Sequence, residues 1–241
     1  MRWNRNCRDL NLRDLNLIVL AGLLFLAAVF APIKHRSLEC IGPQKLSDRV
    51  LLLDAGHGGE DGGAVSVTGK PESGINLAIV LRLDALCGFF GVNTILTRQN
   101  DTSLKDKNSK TLAQMKRTDL NNRVKLVNSQ QNAILISIHQ NFFFGSNNTG
   151  SQVFFAPTEG SELLALRCQQ ILVQKLDPSN HRQAKKISSD IYLMNHVICP
   201  AILVECGFLS NPAEAHKLEE AGYQTKLAAA ILTSYLTFSP S

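Results

Sequence analysis

The sequence predicts an α/β fold: a single domain built on a twisted, mostly parallel β-sheet flanked by helices, preceded by an N-terminal transmembrane helix. Three observations carry this reading. Val50–Leu53, Ala133–Ile138 and Ala201–Val204 are short, almost wholly apolar runs, as expected of parallel strands covered on both faces. Segments with helical spacing lie between them, which is the alternation of an α/β sheet. Residues 15–33 (LNLIVLAGLLFLAAVFAPI) hold no charged side chain.

Taken in order, residues 1–14 form a short polar tail and 15–33 the anchor. At about 1.5 Å per residue a helix of that length nearly crosses a hydrocarbon layer of about 30 Å. The run is longer than the ~7–15 apolar residues of a signal peptide. Pro32 also follows the best small-residue cleavage position, Val29-Phe30-Ala31, so an uncleaved anchor is favoured over a removed signal. Four Lys/Arg precede the run and four follow it closely, so charge gives no orientation. A short tail before one long domain places that domain outside the cytoplasm. Residues 34–48, with Gly42-Pro43, read as a link to a catalytic domain at 49–238.

Within that domain Val50–Leu53 is the first strand, and Gly74–Leu86 is a helix with Ile75, Ile79, Leu83 and Leu86 inward. Asn93–Thr97 follows the Gly91 break as a strand, and Asp119–Val127 is helical with Asp119 near its start. Ala133–Ile138 and Gln152–Phe155 are strands, and Glu162–Leu176 is a helix with Leu163, Leu166, Ile171 and Leu172 as core candidates. Ile191–Met194 reads as a short strand, Ala201–Val204 as a buried one, and Gly222–Leu236 as a closing helix. Residues 99–118 and 140–150 read as polar loops.

Composition narrows the function. Of the net charge of +5, +4 lies in residues 1–36, so the domain is nearly neutral and has no basic stripe to neutralise phosphates, which argues against nucleic-acid binding. The six cysteines show no CxxC pair, and four of them sit in apolar runs, which excludes a disulfide scaffold. Thr68-Gly69-Lys70 is followed by Pro71, so the glycine-rich segment is no Walker loop, and no HExxH occurs.

Residues of catalytic type gather where strands end, the usual place for sites in open α/β sheets. The first strand runs into Asp54-Ala55-Gly56-His57-Gly58-Gly59, the central one into His139-Gln140-Asn141, and Ala201–Val204 into Glu205. Glu72 opens the first helix. Each has an ordinary reading alone: His57 as a loop histidine, His139 as a strand cap, Glu72 as a residue favoured by the helix dipole. Glu205 is harder to explain that way, because a carboxylate directly after four apolar residues needs a partner charge, a hydrogen bond or a metal. Two histidines and one glutamate can supply three positions of a catalytic zinc site, with a further carboxylate as general base.

Six segments, VLLLDAGHGGEDGGAVS (50–66), PESGINLAIVLRL (71–83), NTILTR (93–98), DLNNRVKLVN (119–128), AILISIHQN (133–141) and AILVECGFLSNPAEAHKL (201–218), resemble the zinc-dependent N-acetylmuramoyl-L-alanine amidases in family order. TRQNDTSLKD (97–106), KRTDLNNRVKLVN (116–128) and RQAKKISSDIYLMN (182–195) are most similar to the germination-specific branch of spore formers. The resemblance implies one Zn2+ per chain on His57, Glu72 and His139, with Glu205 as the catalytic glutamate. It places Asn141, Arg98 and Arg123 at recurrent positions, with supporting roles. It implies peptidoglycan as substrate, cut between N-acetylmuramic acid and L-alanine on the route to muramic-δ-lactam. Separately from the resemblance, an activator protein that completes the site is a further reading, with Phe142–Phe144 as its first candidate surface. His181 and His216 match no ligand position and are read as surface residues.

Three departures stand out: Ala55 where proline is commoner, Phe142-Phe143-Phe144 after Asn141 where small residues are usual, and Cys206 beside the glutamate. None removes a ligand or the base. Two rivals follow from the same residues, a zinc peptidase or deacetylase on another cell-wall amide, and a wall-binding module with a structural zinc.

Overall fold

The computed structural model describes residues 49–145 and 147–239. The tail, the anchor at 15–33 and the link lie outside the described residues; among those described, no helix is long and apolar enough to cross a membrane. The described residues hold six strands and six helices in the order β1 (Val50–Ala55), α1 (Glu72–Phe89), β2 (Thr94–Leu96), α2 (Leu112–Asn128), β3 (Ala133–Asn141), β4 (Gln152–Phe155), α3 (Ser161–Leu176), β5 (Lys185–Lys186), α4 (Tyr192–His196), β6 (Ala201–Phe208), α5 (Pro212–Glu219) and α6 (Ala221–Leu236).

They build one sheet in the order β2-β1-β3-β6-β4-β5. The pairings are parallel except that of β4 with β6, so the sheet is mixed at one side rather than wholly parallel. The period of two divides each strand. Leu51, Leu53, Ile134, Ile136, Ile202 and Val204 face a core that takes in residues of α1, α3 and α6. Leu52, Leu135, Ala201 and Leu203 face a second core with Val127 of α2 and Leu193 and Met194 of α4. That alternation puts Asp54, Ser137, His139 and Glu205 on the α2/α4 face, in adjacent strands.

Several local expectations need correction. Ile191–Met194 is not a strand but leads into α4, because Asn195 N–H bonds the Ile191 carbonyl at 3.3 Å and Tyr192 stacks on His196 one turn later. α2 starts at Leu112, not Asp119: Thr111 and Gln114 form a reciprocal capping box, so residues 112–118 are helix rather than loop. In α3 Leu163 and Leu166 face solvent, while Leu164, Ala165 and Cys168 pack inward with Ile171 and Leu172. β3 and β6 run on to Asn141 and Phe208, so His139 and Glu205 stand within strands. Cys87, Cys168, Cys199 and Cys206 are buried free thiols, and burial pushes them up, Cys87 and Cys168 to about 12.

Candidate metal centre

His57 sits in the loop after β1 with a left-handed backbone, φ 62°, rare for a side chain of this size. Two buried arginines hold that loop. Arg98 donates from Nε to the Ala55 carbonyl at 2.9 Å and from Nη2 to those of Gly56 and Ser73 at 3.1 and 2.8 Å. Arg123 donates to the carbonyls of Ala55 and His57 at 2.9 and 2.7 Å. Its charge is met by Asp54 at 2.5 Å and Asp119 at 2.8 Å. Burial would raise Asp54, but Arg123 and the hydroxyls of Ser137 and Thr97 outweigh it and hold the carboxyl at about 2. Arg123 thus supports the site through the backbone as well as through its ion pairs.

The loop brings His57 toward Glu72, at the first position of α1, and His139 of β3. His57 Nε2 lies 3.3 Å from Glu72 Oε2, and His139 Nδ1 lies 3.0 Å from Glu72 Oε1. The imidazole rings stand edge to face with centroids 5.0 Å apart. Glu72 is further fixed by N–H donation from Ala64 and Gln140, each at 3.1 Å, and by the Asn76 amide at 3.2 Å. Burial would raise Glu72, but the two histidines hold it well below the usual carboxylate range. Burial would lower His57, but its bonds to Glu72 and Asp61 raise it to about 9.

This donor set fits a divalent metal. One ligand atom from each of His57, Glu72 and His139 lies within 4.8 Å of the others. Tetrahedral zinc with bonds of about 2.0–2.2 Å places neighbouring donors roughly 3.3–3.5 Å apart, close to the 3.3 and 3.0 Å between Glu72 and the two histidines. His57 Nδ1 meets Asp61 Oδ2 at 3.0 Å, which turns Nε2 inward, and Asp61 is itself paired with Lys116 at 3.0 Å. The packing is tight: a Cβ on Gly56 would lie 2.2 Å from the His139 ring.

Glu205 faces the same cavity, of about 510 Å³. It is Cα partner to His139 in the β3–β6 register. Its Oε2 is buried with no hydrogen-bond partner, and burial, with a smaller contribution from Glu72, raises the carboxyl to about 7 against the pull of His139 and His57. A desolvated carboxylate with a free oxygen beside three metal-type donors can exchange a proton with a bound reactant.

The fold therefore brings together His57, Glu72, His139 and Glu205, with Arg123 beneath them. Asn141 ends β3 half-buried, and its carbonyl accepts Leu209 N–H at 2.8 Å. Gln140 and Phe142, its neighbours, line the cavity, whereas Asn141 is not among the lining residues described. His181 and His216 are exposed, as expected. Sequence reasoning missed Asp61, Asn76 and Gln140. The spacing of Asp61, four residues after His57 in a glycine-rich loop, was the available signal.

A family model described as N-acetylmuramoyl-L-alanine amidase matches residues 51–235. The germination-specific N-acetylmuramoyl-L-alanine amidase of Bacillus subtilis is 38% identical over 195 residues, covering 80% of this chain and 81% of its own. The amidase LytC of the same organism is 30% identical over 184 residues, covering 75% of this chain and 34% of its own. Among solved structures, the CwlD amidase of Clostridioides difficile, in complex with the GerS lipoprotein, superimposes with a TM-score of 0.75 at 38% identity, covering 79% of this chain and 98% of that one. The chain belongs to the N-acetylmuramoyl-L-alanine amidase family and is an enzyme of that class.

Proposed function

We propose that this chain is a zinc-dependent amidase of the spore cortex, anchored by residues 15–33 with its catalytic domain outside the cytoplasm. It removes stem peptides from N-acetylmuramic acid on the route to muramic-δ-lactam. The observation that carries the catalytic part is the convergence of His57, Glu72 and His139 with a buried, unpartnered Glu205 oxygen in one cavity. The similarity to the germination-specific relative supports the cortex role.

Zinc held by His57, Glu72 and His139 would supply Lewis acidity, activating water and polarising the scissile carbonyl. Glu205 accepts a proton from the attacking water at its free Oε2. The water oxygen bonds to the lactyl carbonyl carbon, the carbon–nitrogen bond breaks, and Glu205 returns the proton to the leaving alanine amine. A carboxyl raised to about 7 suits both transfers near neutral pH. Asp61 orients His57, and Arg98 and Arg123 hold the loop that presents it.

Among the described residues the set has three donors, which supports a catalytic rather than a structural site, since structural zinc is normally closed by four protein ligands. A protein activator is part of this reading. The C. difficile neighbour was solved with a lipoprotein, and here Phe143 and Phe144 are exposed next to Phe142 at the cavity wall.

The test is product analysis. The chain is incubated with cortex peptidoglycan, with and without zinc, and the products are identified by mass spectrometry. Peptides beginning with a free L-alanine amine, together with muramic acid stripped of peptide, are expected only with zinc. A cut within the peptide, or loss of acetate from the sugar, would instead favour the peptidase or deacetylase reading.

A further inference from the structure

α1 breaks the rule that a helix covering a core is apolar on one side only. Its inner side packs Ile75, Ile79, Val80, Leu83 and Cys87. Its outer side, toward the C-terminal end, carries Leu81, Ala85 and Gly88, all exposed and none charged. The helix then ends on Phe89, 83% exposed, and Phe90, 54% exposed, stacked edge to face with ring centroids 5.2 Å apart. The flanking polar residues are turned aside: Arg82 donates to the Ala78 carbonyl at 3.0 Å, and Asp84 accepts from the Thr94 hydroxyl at 2.5 Å. Neither phenylalanine belongs to either core among the described residues, and a turn ending at Gly91 has no need of them.

Strand direction locates this corner. β1 runs from Val50 toward His57, and α1 runs back from Glu72, so Phe89 and Phe90 lie at the pole opposite the cavity. The same pole receives the chain: Leu51 N–H bonds the Asn93 carbonyl at 2.9 Å, three residues after Phe90. Only fifteen residues, 34–48, separate the uncharged run at 15–33 from Arg49. That link attaches at this pole and, even fully extended, reaches about 50 Å, so an anchor would tether the domain by the end that carries the two phenylalanines.

We propose that Leu81, Ala85, Phe89 and Phe90 form a lipid-docking surface that enters the interfacial layer of the membrane carrying the chain. The proposal rests on the anchor reading. Docking at this pole turns the cavity away from the bilayer, toward the cell-wall polymer. Aromatic and aliphatic side chains on a short protrusion are the chemistry that partitions into the headgroup boundary.

The experiment uses the full chain in vesicles of phosphatidylcholine and phosphatidylglycerol. Trp3 is the sole tryptophan, so Trp3→Phe gives a silent background. Phe89→Trp then reports on the docking pole and Phe144→Trp on the cavity pole; both positions are exposed, and a circular dichroism melt checks that each variant folds. Vesicle flotation is followed by tryptophan emission with lipids brominated on their acyl chains. The proposal expects Phe89→Trp to be blue-shifted and quenched about twofold or more relative to Phe144→Trp. Chain that floats while the two reporters are quenched equally, or Phe144→Trp more, overturns the docking surface and leaves the anchor standing. Chain that does not float overturns both.

Discussion

Replacing Arg123 with methionine removes a guanidinium that bonds Asp54, Asp119 and the carbonyls of Ala55 and His57. Asp54 then stays buried with only the hydroxyls of Ser137 and Thr97, at 2.6 and 2.9 Å. Breaking one partner of a buried pair costs about 3–5 kcal/mol, because the remaining charge is uncompensated. The pH dependence carries its own signature. In the native protein Asp54 is depressed from 3.8 to about 2. That shift contributes about 2 kcal/mol, present above the unfolded value and lost as pH falls through about 2. In the variant, burial raises Asp54 instead, so acid relieves the penalty. Guanidinium unfolding of residues 34–241, followed by circular dichroism near pH 7 and near pH 3, measures both effects. The variant is expected to lose about 3–5 kcal/mol near neutrality, with the gap narrowing by about 2 kcal/mol in acid. A loss under about 1 kcal/mol, or a gap indifferent to pH, refutes the reasoning.

Further outcomes follow from the same geometry. Asp61→Ala frees the His57 ring and should weaken zinc binding roughly 10–100-fold in chelator competition, with the fold intact by circular dichroism. Gly56→Ala places a Cβ against the His139 ring and should abolish stoichiometric zinc uptake, measured by metal analysis after gel filtration; normal uptake would show that the ring can move aside. Glu205 must be ionised to accept a proton, so kcat/KM should fall about tenfold per pH unit on an acid limb below about 7, with a bound cation moving that limb downward. A carboxyl raised this far destabilises the fold as pH rises above its unfolded value. Metal-free Glu205→Gln should therefore be more stable than the parent near pH 8, by about 2–3 kcal/mol in denaturant unfolding.

What the sequence disclosed divides along physical lines. β1, β3 and β6 are buried on both faces, so their apolar runs needed no tertiary information to be read. The first turns of α2 escape the sequence pattern because their apolar residues, Leu112 and Met115, line the cavity rather than the core. The capping box at Thr111 was the missed cue. α4 is five residues long, too short for periodicity to separate helix from strand. The metal donors were legible as residue types at strand ends and, above all, through family resemblance. The groups that orient them were not: the bond from Arg123 to the His57 carbonyl, or from Gln140 N–H to Glu72, spans more than sixty residues and exists only once the sheet is formed.

The central claim is that Glu205 moves the proton while His57, Glu72 and His139 hold the metal. Glu205→Gln separates the two roles, since it keeps shape and removes the base. Zinc affinity and the rate of L-alanine amine release should be measured together on the same preparation. The account expects zinc to bind within about threefold of the parent and the rate to fall by roughly 10²–10⁴. Undiminished release, or loss of zinc together with activity, would contradict it.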